Sequence, residues 1–344
     1  SCAQETRNLK GAKYFDNHKK TRLEKPGRFC VYAAYASIVQ KLSVSASGLG
    51  YGLAAYFLWG SFPIIIQFAK FATAFEIVVW RVVFGFLFAA ALVTITGTWK
   101  QIWSLAKSPK KLGWIAVAAF FIFINWEVYV YGVVSENVIE ASLGYFINPL
   151  VTVMFAVVIL KEKLRPRQWL ALGVGLIAVI VLTIDYGRPP WIAITLALSF
   201  GIYSLAKNKV GKNVGALQSF TIESAMVLPV AIIQLAVVAS FGPVMILAGP
   251  IQASVLIGYG ILTAVPLILF GAAARRLPLA MMGFIQYLTP LLQFGTGYFL
   301  LGEQMPPARW IGFGLIWVSL IILSSDLFRT VSYTHLTLPT KRIV

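Results

Sequence analysis

Residues 139–160 read IEASLGYFINPLVTVMFAVVIL, and residues 279–301 read LAMMGFIQYLTPLLQFGTGYFLL. Each stretch exceeds the roughly 20 apolar residues that an α-helix needs to cross a hydrocarbon core about 30 Å thick. The two stretches and the residues after them match at a constant offset of 141 residues: Pro149 with Pro290, Leu150 with Leu291, Leu160 with Leu301, Glu162 with Glu303, Trp169 with Trp310, and Gly173 with Gly314. One register shared by proline, glutamate and tryptophan predicts an internal repeat.

Further apolar runs flank these two stretches along the chain. The ten candidate spans are Leu49–Ala69, Phe75–Gly97, Leu112–Val134, Ile139–Leu160, Gln168–Ile184, Trp191–Ala206, Ala216–Phe241, Ile251–Ala274, Leu279–Leu301 and Ala308–Leu327. Each copy of the repeat then holds five spans, and an odd number makes the copies point in opposite directions through the membrane. The pattern predicts an all-α integral membrane protein of ten transmembrane helices in two inverted five-helix repeats. Gene duplication within a membrane scaffold is the alternative.

The composition and the placement of charge support a membrane protein over a nucleic-acid-binding one. Of 344 residues, 59% are hydrophobic and 12% are charged, whereas a soluble domain averages about 25% charged residues. The formal net charge is +17. Nine of the 29 lysines and arginines lie in the first 48 residues, and most of the others lie in short connections between apolar runs. Nucleic-acid binding would instead need a basic face on a soluble domain.

The charges of the connections predict the orientation. With the N-terminus inside, the inner connections carry Lys100, Lys107, Lys110, Lys111, Lys161, Lys163, Arg165, Arg167, Lys207, Lys209, Lys212, Arg275 and Arg276. The outer connections carry only Lys70, Arg188 and Arg309. Because cytoplasmic loops retain lysine and arginine, both termini are expected in the cytoplasm.

The chain divides into four segments on this interpretation. Residues 1–48 form a basic, disordered N-terminal extension, residues 49–186 the first five-helix repeat, and residues 190–328 the second. Residues 331–340 read VSYTHLTLPT, which resembles a translated adapter from a sequencing library. We therefore expect residues 329–344 to be a non-native tail.

Several motifs resemble those of a known permease family. They are EASLGYFINPL at Glu140–Leu150, LAAYFLWG at Leu53–Gly60, the pair Asn125–Trp126, and the stretch Ala264–Pro290 with VPL, AAARRL and GFIQYLTP. Over about residues 48–328 the chain resembles the RarD-type branch of the EamA permeases, in the drug/metabolite transporter superfamily. The resemblance implies two five-helix repeats, an inner-membrane location and movement of metabolites or drugs. Lys161 departs from the pattern, which has glycine before the glutamate, as at Gly302.

Among the ionisable residues inside predicted spans, three are good candidates for a function, namely Arg81, Glu127 and Glu223. Such residues cost about 2.5–3.5 kcal/mol each on insertion scales and are therefore functional candidates. Arg81 and Glu127 lie at similar depths below the outer edge, which predicts either a buried ion pair that fastens two helices or a substrate contact. Glu223 lies near the inner edge, where it could couple transport to a proton or extend toward Lys212 or Arg275.

Polar side chains follow one face of the fourth span and the matching face of the ninth. Spacings of three, three and four place them along one helical face in each copy. The expected substrate-binding residues are Trp126, Glu127, Ser142, Tyr145, Asn148, Thr152, Tyr203, Gln286, Tyr287 and Gln293. A shared central cavity is one explanation, and hydrogen bonding between helices is the other. The aromatic members could stack on a planar substrate.

The residues favour a secondary transporter that works by alternating access on a small metabolite or drug-like molecule. A membrane-embedded enzyme and a non-transporting scaffold or receptor are the alternatives. Cys2, Cys30, His18 and His335 all lie outside the apolar body, so no cofactor or metal is expected there. No phosphate-binding loop of the GxxxxGK[ST] pattern occurs, which disfavours ATP-driven transport. The expected partners are the substrate, the lipid bilayer and, as coupling ion, a proton, whereas the oligomeric state stays open.

Overall fold

The structure is a computed structural model that describes residues 46–158, 161, 164–210, 214–274, 276–277, 281–282 and 285–336. Regular structure in these ranges is entirely helical, without a strand. The helices are α1 (Ala46–Gln67), α2 (Ala74–Ile95), α3 (Trp99–Ala106), α4 (Pro109–Val134), α5 (Val138–Val158), α6 (Pro166–Tyr186), α7 (Trp191–Val210), α8 (Ala216–Phe241), α9 (Pro250–Ala274), α10 (Leu288–Gly295) and α11 (Pro307–Leu336), with a 3-10 turn at Met245–Leu247 and a π-helical turn at Thr296–Leu300.

Eight of the described helices are long and apolar enough to cross a membrane: α1, α2, α4, α5, α6, α8, α9 and α11. The all-helical membrane expectation is therefore confirmed. The apolar part of α7, Trp191–Lys207, is shorter than a full span. Residues 1–45 and 337–344 lie outside the described part, as do Glu162 and Gly283, so most of the predicted N-terminal extension and the end of the tail are not described.

The ninth predicted span is interrupted rather than continuous. Gln286 and Tyr287 form a turn, α10 begins at Leu288, and a π-helical turn follows from Thr296. Pro290 lies in the first turn of α10, where its missing N–H costs little, whereas a helix continuing through it would clash at the carbonyl four residues earlier. A continuous helix over Leu279–Leu301 is therefore not seen in the described residues, which leave out 279, 280, 283 and 284.

Helix α3 was not predicted. It follows Gly97, which has φ +64°, a left-handed conformation that favours glycine. Ile102 and Leu105 are buried, whereas Trp103 is exposed. This division gives a short amphipathic helix whose tryptophan suits the level of the lipid headgroups.

Helices from the two halves of the chain pack against one another, and this packing positions the site. Helix α4 packs on α7 and α1 on α9, while α5 packs on α7 and α1 on α10. Helices α2 and α8 pack together, as do α6 and α11. One apolar cluster unites α1, α2, α4, α5, α7, α8 and α9, and Arg81, Trp126 and Tyr259 lie within or beside it. The interior of the bundle is thus built from both halves.

Candidate functional site

Arg81 on α2 is a buried cation at the centre of the bundle, 6% exposed. Its guanidinium carbon lies 4.4 Å from the ring centroid of Trp126, 5.6 Å from that of Tyr259 and 5.7 Å from that of Phe62. Its Nη1 donates a hydrogen bond of 3.1 Å to the Tyr259 hydroxyl. Cation–π attraction from three rings replaces part of the hydration that burial removes.

Glu127 does not form the predicted ion pair with Arg81. Its Oε1 accepts a hydrogen bond of 2.6 Å from Gln234 Nε2 on α8, and that amide also donates to the carbonyl of Phe75 at 3.0 Å. Glu127 stays within electrostatic range of Arg81, but no direct contact joins the two charges. Glu127 bonds to Gln234 on α8, whereas Arg81 bonds to Tyr259 on α9.

Asn125 on α4, in the third predicted span, hydrogen-bonds to the fourth span (α5) and the sixth (α7). Its Nδ2 donates to the carbonyl of Leu196 at 3.1 Å and to Ser199 Oγ at 3.0 Å. Its Oδ1 accepts from the Tyr145 hydroxyl at 3.1 Å. A buried amide that is fully bonded in this way fixes the mutual positions of α4, α5 and α7.

Gln293 on α10 makes the corresponding link to the first half. Its Nε2 donates to the Tyr129 hydroxyl at 3.1 Å and to the carbonyl of Trp59 at 3.3 Å, while its Oε1 is buried without a partner. The rings of Tyr129 and Tyr145 lie 5.8 Å apart, centroid to centroid. The two amides and two phenols therefore form one continuous polar seam beside Arg81.

The remaining members of the predicted polar faces do not converge on this seam. Ser142 bonds the carbonyl of Ile139, and exposed Thr152 bonds that of Asn148. Asn148 is buried with an unpartnered Oδ1. Gln286 lies in the turn before α10. The hydroxyls of Ser142 and Thr152 thus bond carbonyls of their own helix.

Glu223 on α8 is paired with Lys207, whereas Lys212 and Arg275, the partners expected from the sequence, lie outside the described residues. Lys207 Nζ lies 2.6 Å from Glu223 Oε1, and Ser219 Oγ also bonds the carboxylate at 2.6 Å. The Lys207 ammonium further lies 5.6 Å from the ring centroid of Tyr203. Lys207, Ser219 and Glu223 thus join α7 to α8, and the ring of Tyr203 lies beside the ion pair.

Carboxylates fasten the opposite end of the bundle. Glu140 accepts from Arg188 Nη2 at 2.9 Å and from the Ile192 N–H at 3.0 Å. Glu303 accepts from the N–H groups of Val138 and Ile139 at 2.5 and 2.9 Å and so caps α5. Burial raises the pKa of Glu303, and these two N–H groups oppose the rise. Favourable interaction with the α5 dipole adds to the cap.

Two cavities accompany these features. One of about 280 Å³ lies at the carboxylate-rich end and is lined by Glu136, Glu140, Tyr186, Glu303 and Arg309, among others. The other, of about 410 Å³, is almost wholly apolar and contains one predicted site residue, Tyr287, beside Phe146, Trp317 and Ser324. Neither of these two cavities is lined by Arg81.

Several central residues were missed from the sequence. Tyr259, Tyr129 and Ser199 were not singled out, and Asn125 entered only through a motif. Buried tyrosines are indistinguishable by sequence from packing or interfacial ones. Over the described ranges, no cluster of three or more histidine, cysteine, aspartate or glutamate side chains is arranged to hold a metal ion.

Comparisons with known proteins agree with this architecture. Residues 46–184 match the EamA-like transporter family. The chain is 42% identical over 285 residues to Protein RarD of Streptomyces exfoliatus, covering 83% of this chain and 90% of the relative. It is 37% identical over 284 residues to Protein RarD of Escherichia coli, with 82% and 95% coverage, and 38% identical over 284 residues to an uncharacterised transporter of Pseudomonas aeruginosa, with 81% and 93% coverage.

A solved crystal structure shares the fold. It matches 83% of this chain and 100% of its own at 18% sequence identity, with a TM-score of 0.53. These two RarD relatives exceed 30% identity over nine-tenths or more of their own length. Their names agree with the resemblance of the motif at Glu140–Leu150. The chain therefore belongs to the EamA-like transporter family, among relatives named RarD.

Proposed function

We propose that the chain is a secondary transporter that moves a small metabolite or drug-like molecule across the bacterial inner membrane by alternating access. Family membership and eight apolar helices support the transport role. The observation that carries the choice of site is the polar seam of Asn125, Tyr145, Tyr129 and Gln293 beside Arg81. Polar groups are costly inside a bilayer, and those that face a bundle interior mark substrate pathways.

Two inverted five-helix repeats, 49–186 and 190–328, are part of this proposal. Contacts between helices support them, because the 141-residue offset maps the α4–α7 contact onto α9–α1 and the α5–α7 contact onto α10–α1. Individual residues follow the same relation. A Cβ added at Gly60 would lie 2.7 Å from Leu292, and one added at Gly201 would lie 3.0 Å from Val151, the equivalent residue. The eight spanning helices, α7 and the interrupted ninth segment together make ten spans, five in each repeat.

Alternating access would then consist of one repeat rocking against the other around the seam. Small residues at the contacts between the halves support it, since Gly60 and Gly201 let helices approach closely without a side chain between them. The count of lysine and arginine in the connections supports cytoplasmic termini. Topology reporters after Lys110 and Lys209 should read cytoplasmic, and one after Arg188 periplasmic.

A proton is the proposed coupling ion, and Glu127 is the better of the two candidate carriers. Its Oε2 is buried without a partner, so the carboxyl group has an oxygen free to take a proton. Glu223 is instead held by an ammonium and a hydroxyl. A carboxylate already neutralised by a cation gains little from protonation.

Transport can be tested with purified protein in proteoliposomes. A thermal-shift screen against amino acids, nucleosides and antibiotics first selects ligands, because binding to the folded state raises its stability. Selected ligands should then enter the vesicles with saturable kinetics. Gln293→Leu should lower the initial rate about tenfold or more, since a buried hydrogen bond to the seam is lost. Lys70→Ala, an exposed control, should stay near wild type. Ligands that bind but never cross would contradict the transport role.

A further inference from the structure

We propose that the transported molecule carries a carboxylate group and that Arg81 binds it, an inference that rests on the transport function proposed above. Arg81 is buried at the centre of the bundle, beside the polar seam. Nothing in the described part of the chain offers it a carboxylate within ion-pairing distance. A buried cation without an internal counter-charge costs several kcal/mol unless an anion compensates it during the working cycle.

The other cations show that this chain normally supplies its own counter-charges. Arg188 lies 2.9 Å from Glu140, Arg309 lies 2.9 Å from Asp185, and Lys207 lies 2.6 Å from Glu223. All three cations are more exposed than Arg81. The most buried of the four is thus the one that meets rings and a phenol instead of a carboxylate.

The donors of Arg81 that remain free fit a carboxylate. A guanidinium has five N–H donors in a planar fork. One Nη1–H is used by the Tyr259 hydroxyl, while the Nε–H is buried without a partner. An Nε–H and a neighbouring Nη–H bind the two oxygens of a carboxylate through parallel hydrogen bonds, which is the strong, bidentate form of this interaction.

The surroundings narrow the class further, to a singly charged organic acid. Trp126, Tyr259 and Phe62 lie over the guanidinium and offer apolar surface to the body of a ligand. Glu127 is within electrostatic range of Arg81 and lowers the local positive potential. A dianion such as phosphate would be repelled by Glu127 more strongly than a monocarboxylate would.

The test compares a carboxylate with its neutral isostere on the full-length protein in detergent. Phenylacetate, benzoate and indole-3-acetate are titrated against phenylacetamide, with sodium chloride and phosphate at matched ionic strength. At least one carboxylate should raise the melting temperature saturably, and phenylacetamide should not. Arg81→Lys keeps the charge but not the fork, and should raise the half-maximal concentration about tenfold or more, as loss of one charge-assisted hydrogen bond predicts. Arg276→Lys, the same change at an exposed arginine, should leave it unchanged.

Several outcomes would overturn the assignment. They are a flat response to all three carboxylates, an equal shift with phenylacetamide, an equal shift with phosphate or chloride, and unaltered carboxylate binding in Arg81→Lys. Arg81→Met is a second variant, and if it fails to fold, the acid–amide comparison on wild type still decides. Flux separates this inference from the transport role. Entry of the amide but not the acid would refute the carboxylate, whereas acid that binds through Arg81 but never crosses would refute transport.

Discussion

Two buried carboxylates of this protein, Glu140 and Glu223, differ from the buried guanidinium of Arg81 in the partners that they have. Glu140 and Glu223 are 1% and 2% exposed, and each has a cation within 3 Å and a further donor from a backbone N–H or a hydroxyl. Arg81 is 6% exposed and has three aromatic rings and one phenol. These two carboxylates are thus neutralised by cations of the protein, whereas Arg81 has no carboxylate in contact.

This difference separates the buried charges that join helices from the one that is proposed to bind a ligand. The ion pair of Glu140 joins the start of α5 to the loop before α7, and that of Glu223 joins α7 to α8. Breaking such a pair leaves an uncompensated charge in a dry interior, so the expected loss is in stability. At the centre, the partner of Arg81 is expected to be the ligand, so the expected loss is in binding.

The largest loss of stability is expected for Lys207→Met. It leaves the Glu223 carboxylate buried without a cation, although the Ser219 hydroxyl still donates to it, and breaking one side of a buried pair costs about 3–5 kcal/mol. The lower end applies, because Lys207 is 28% exposed. The double variant Lys207→Met, Glu223→Gln should recover most of the loss in thermal unfolding. Lys209→Met, an exposed control on the same helix, should change little. A double variant less stable than Lys207→Met would show that the pair is not what links α7 to α8.

Glu140→Ala should have the next largest effect, a loss of about 2–3 kcal/mol in the free energy of unfolding. It removes both hydrogen bonds from the Arg188 guanidinium and leaves the buried Ile192 N–H without its acceptor. Arg188 is 40% exposed and can turn to water, which keeps the loss below that of the first variant. Glu136→Ala is the matched control, since the Glu136 side chain is 76% exposed and its pair with Lys70 should contribute under about 1 kcal/mol. Equal losses from both substitutions would contradict the distinction between buried and exposed pairs.

Glu303→Ala should cost about 1–2 kcal/mol, the usual range for loss of a helix N-cap. The carboxylate caps α5 from a loop more than 160 residues away in sequence. Its loss should therefore also loosen the loop that carries Glu303, before α11. Hydrogen exchange of the Val138 and Ile139 amides would report the cap directly. Gln304→Ala, the neighbouring residue, should leave both stability and exchange unchanged. Unaltered exchange in Glu303→Ala would mean that water replaces the cap at no cost.

The sequence was sufficient for most of the helices and for the charged positions. The span Ala216–Phe241 was predicted with the bounds that α8 has. Apolar runs of this length have few alternatives in a bilayer, since an unbonded backbone is too costly there. The break before α10 was not predictable in the same way. Pro149 occupies the equivalent position in α5, which continues through it, so neighbouring helices decide whether a proline bends a helix or ends it.

The residue types were sufficient to find the charged candidate residues, but their contact partners could be identified only from the fold. A charge within an apolar run is rare enough to be noticed, so Arg81, Glu127 and Glu223 were all found. Their partners depend on rotation of each helix about its axis. Apart from a few polar side chains, apolar residues surround the whole of α2 and α8, and a sequence of that kind does not encode which face meets which neighbour. The ion pair of Arg81 with Glu127 failed for this reason, and Gln234 and Tyr259 were not foreseen.

The smallest energy is expected for the coupling between Arg81 and Glu127, which a charge swap measures. In the double variant Arg81→Glu, Glu127→Arg, a carboxylate would face the rings of Trp126 and Tyr259, whose negative faces attract a guanidinium and repel an anion. The arginine placed at position 127 would in turn displace the amide of Gln234. Both single swaps should destabilise the protein, and the double should regain less than about 0.5 kcal/mol beyond their sum, the usual limit for residues that do not touch. Expression level and thermal unfolding in detergent measure all three variants against Arg81→Lys, which keeps the charge beside the rings. A recovery of 1 kcal/mol or more, as an order of magnitude for contacting residues, would show that the two side chains meet in another state of the transport cycle and would reinstate the ion pair.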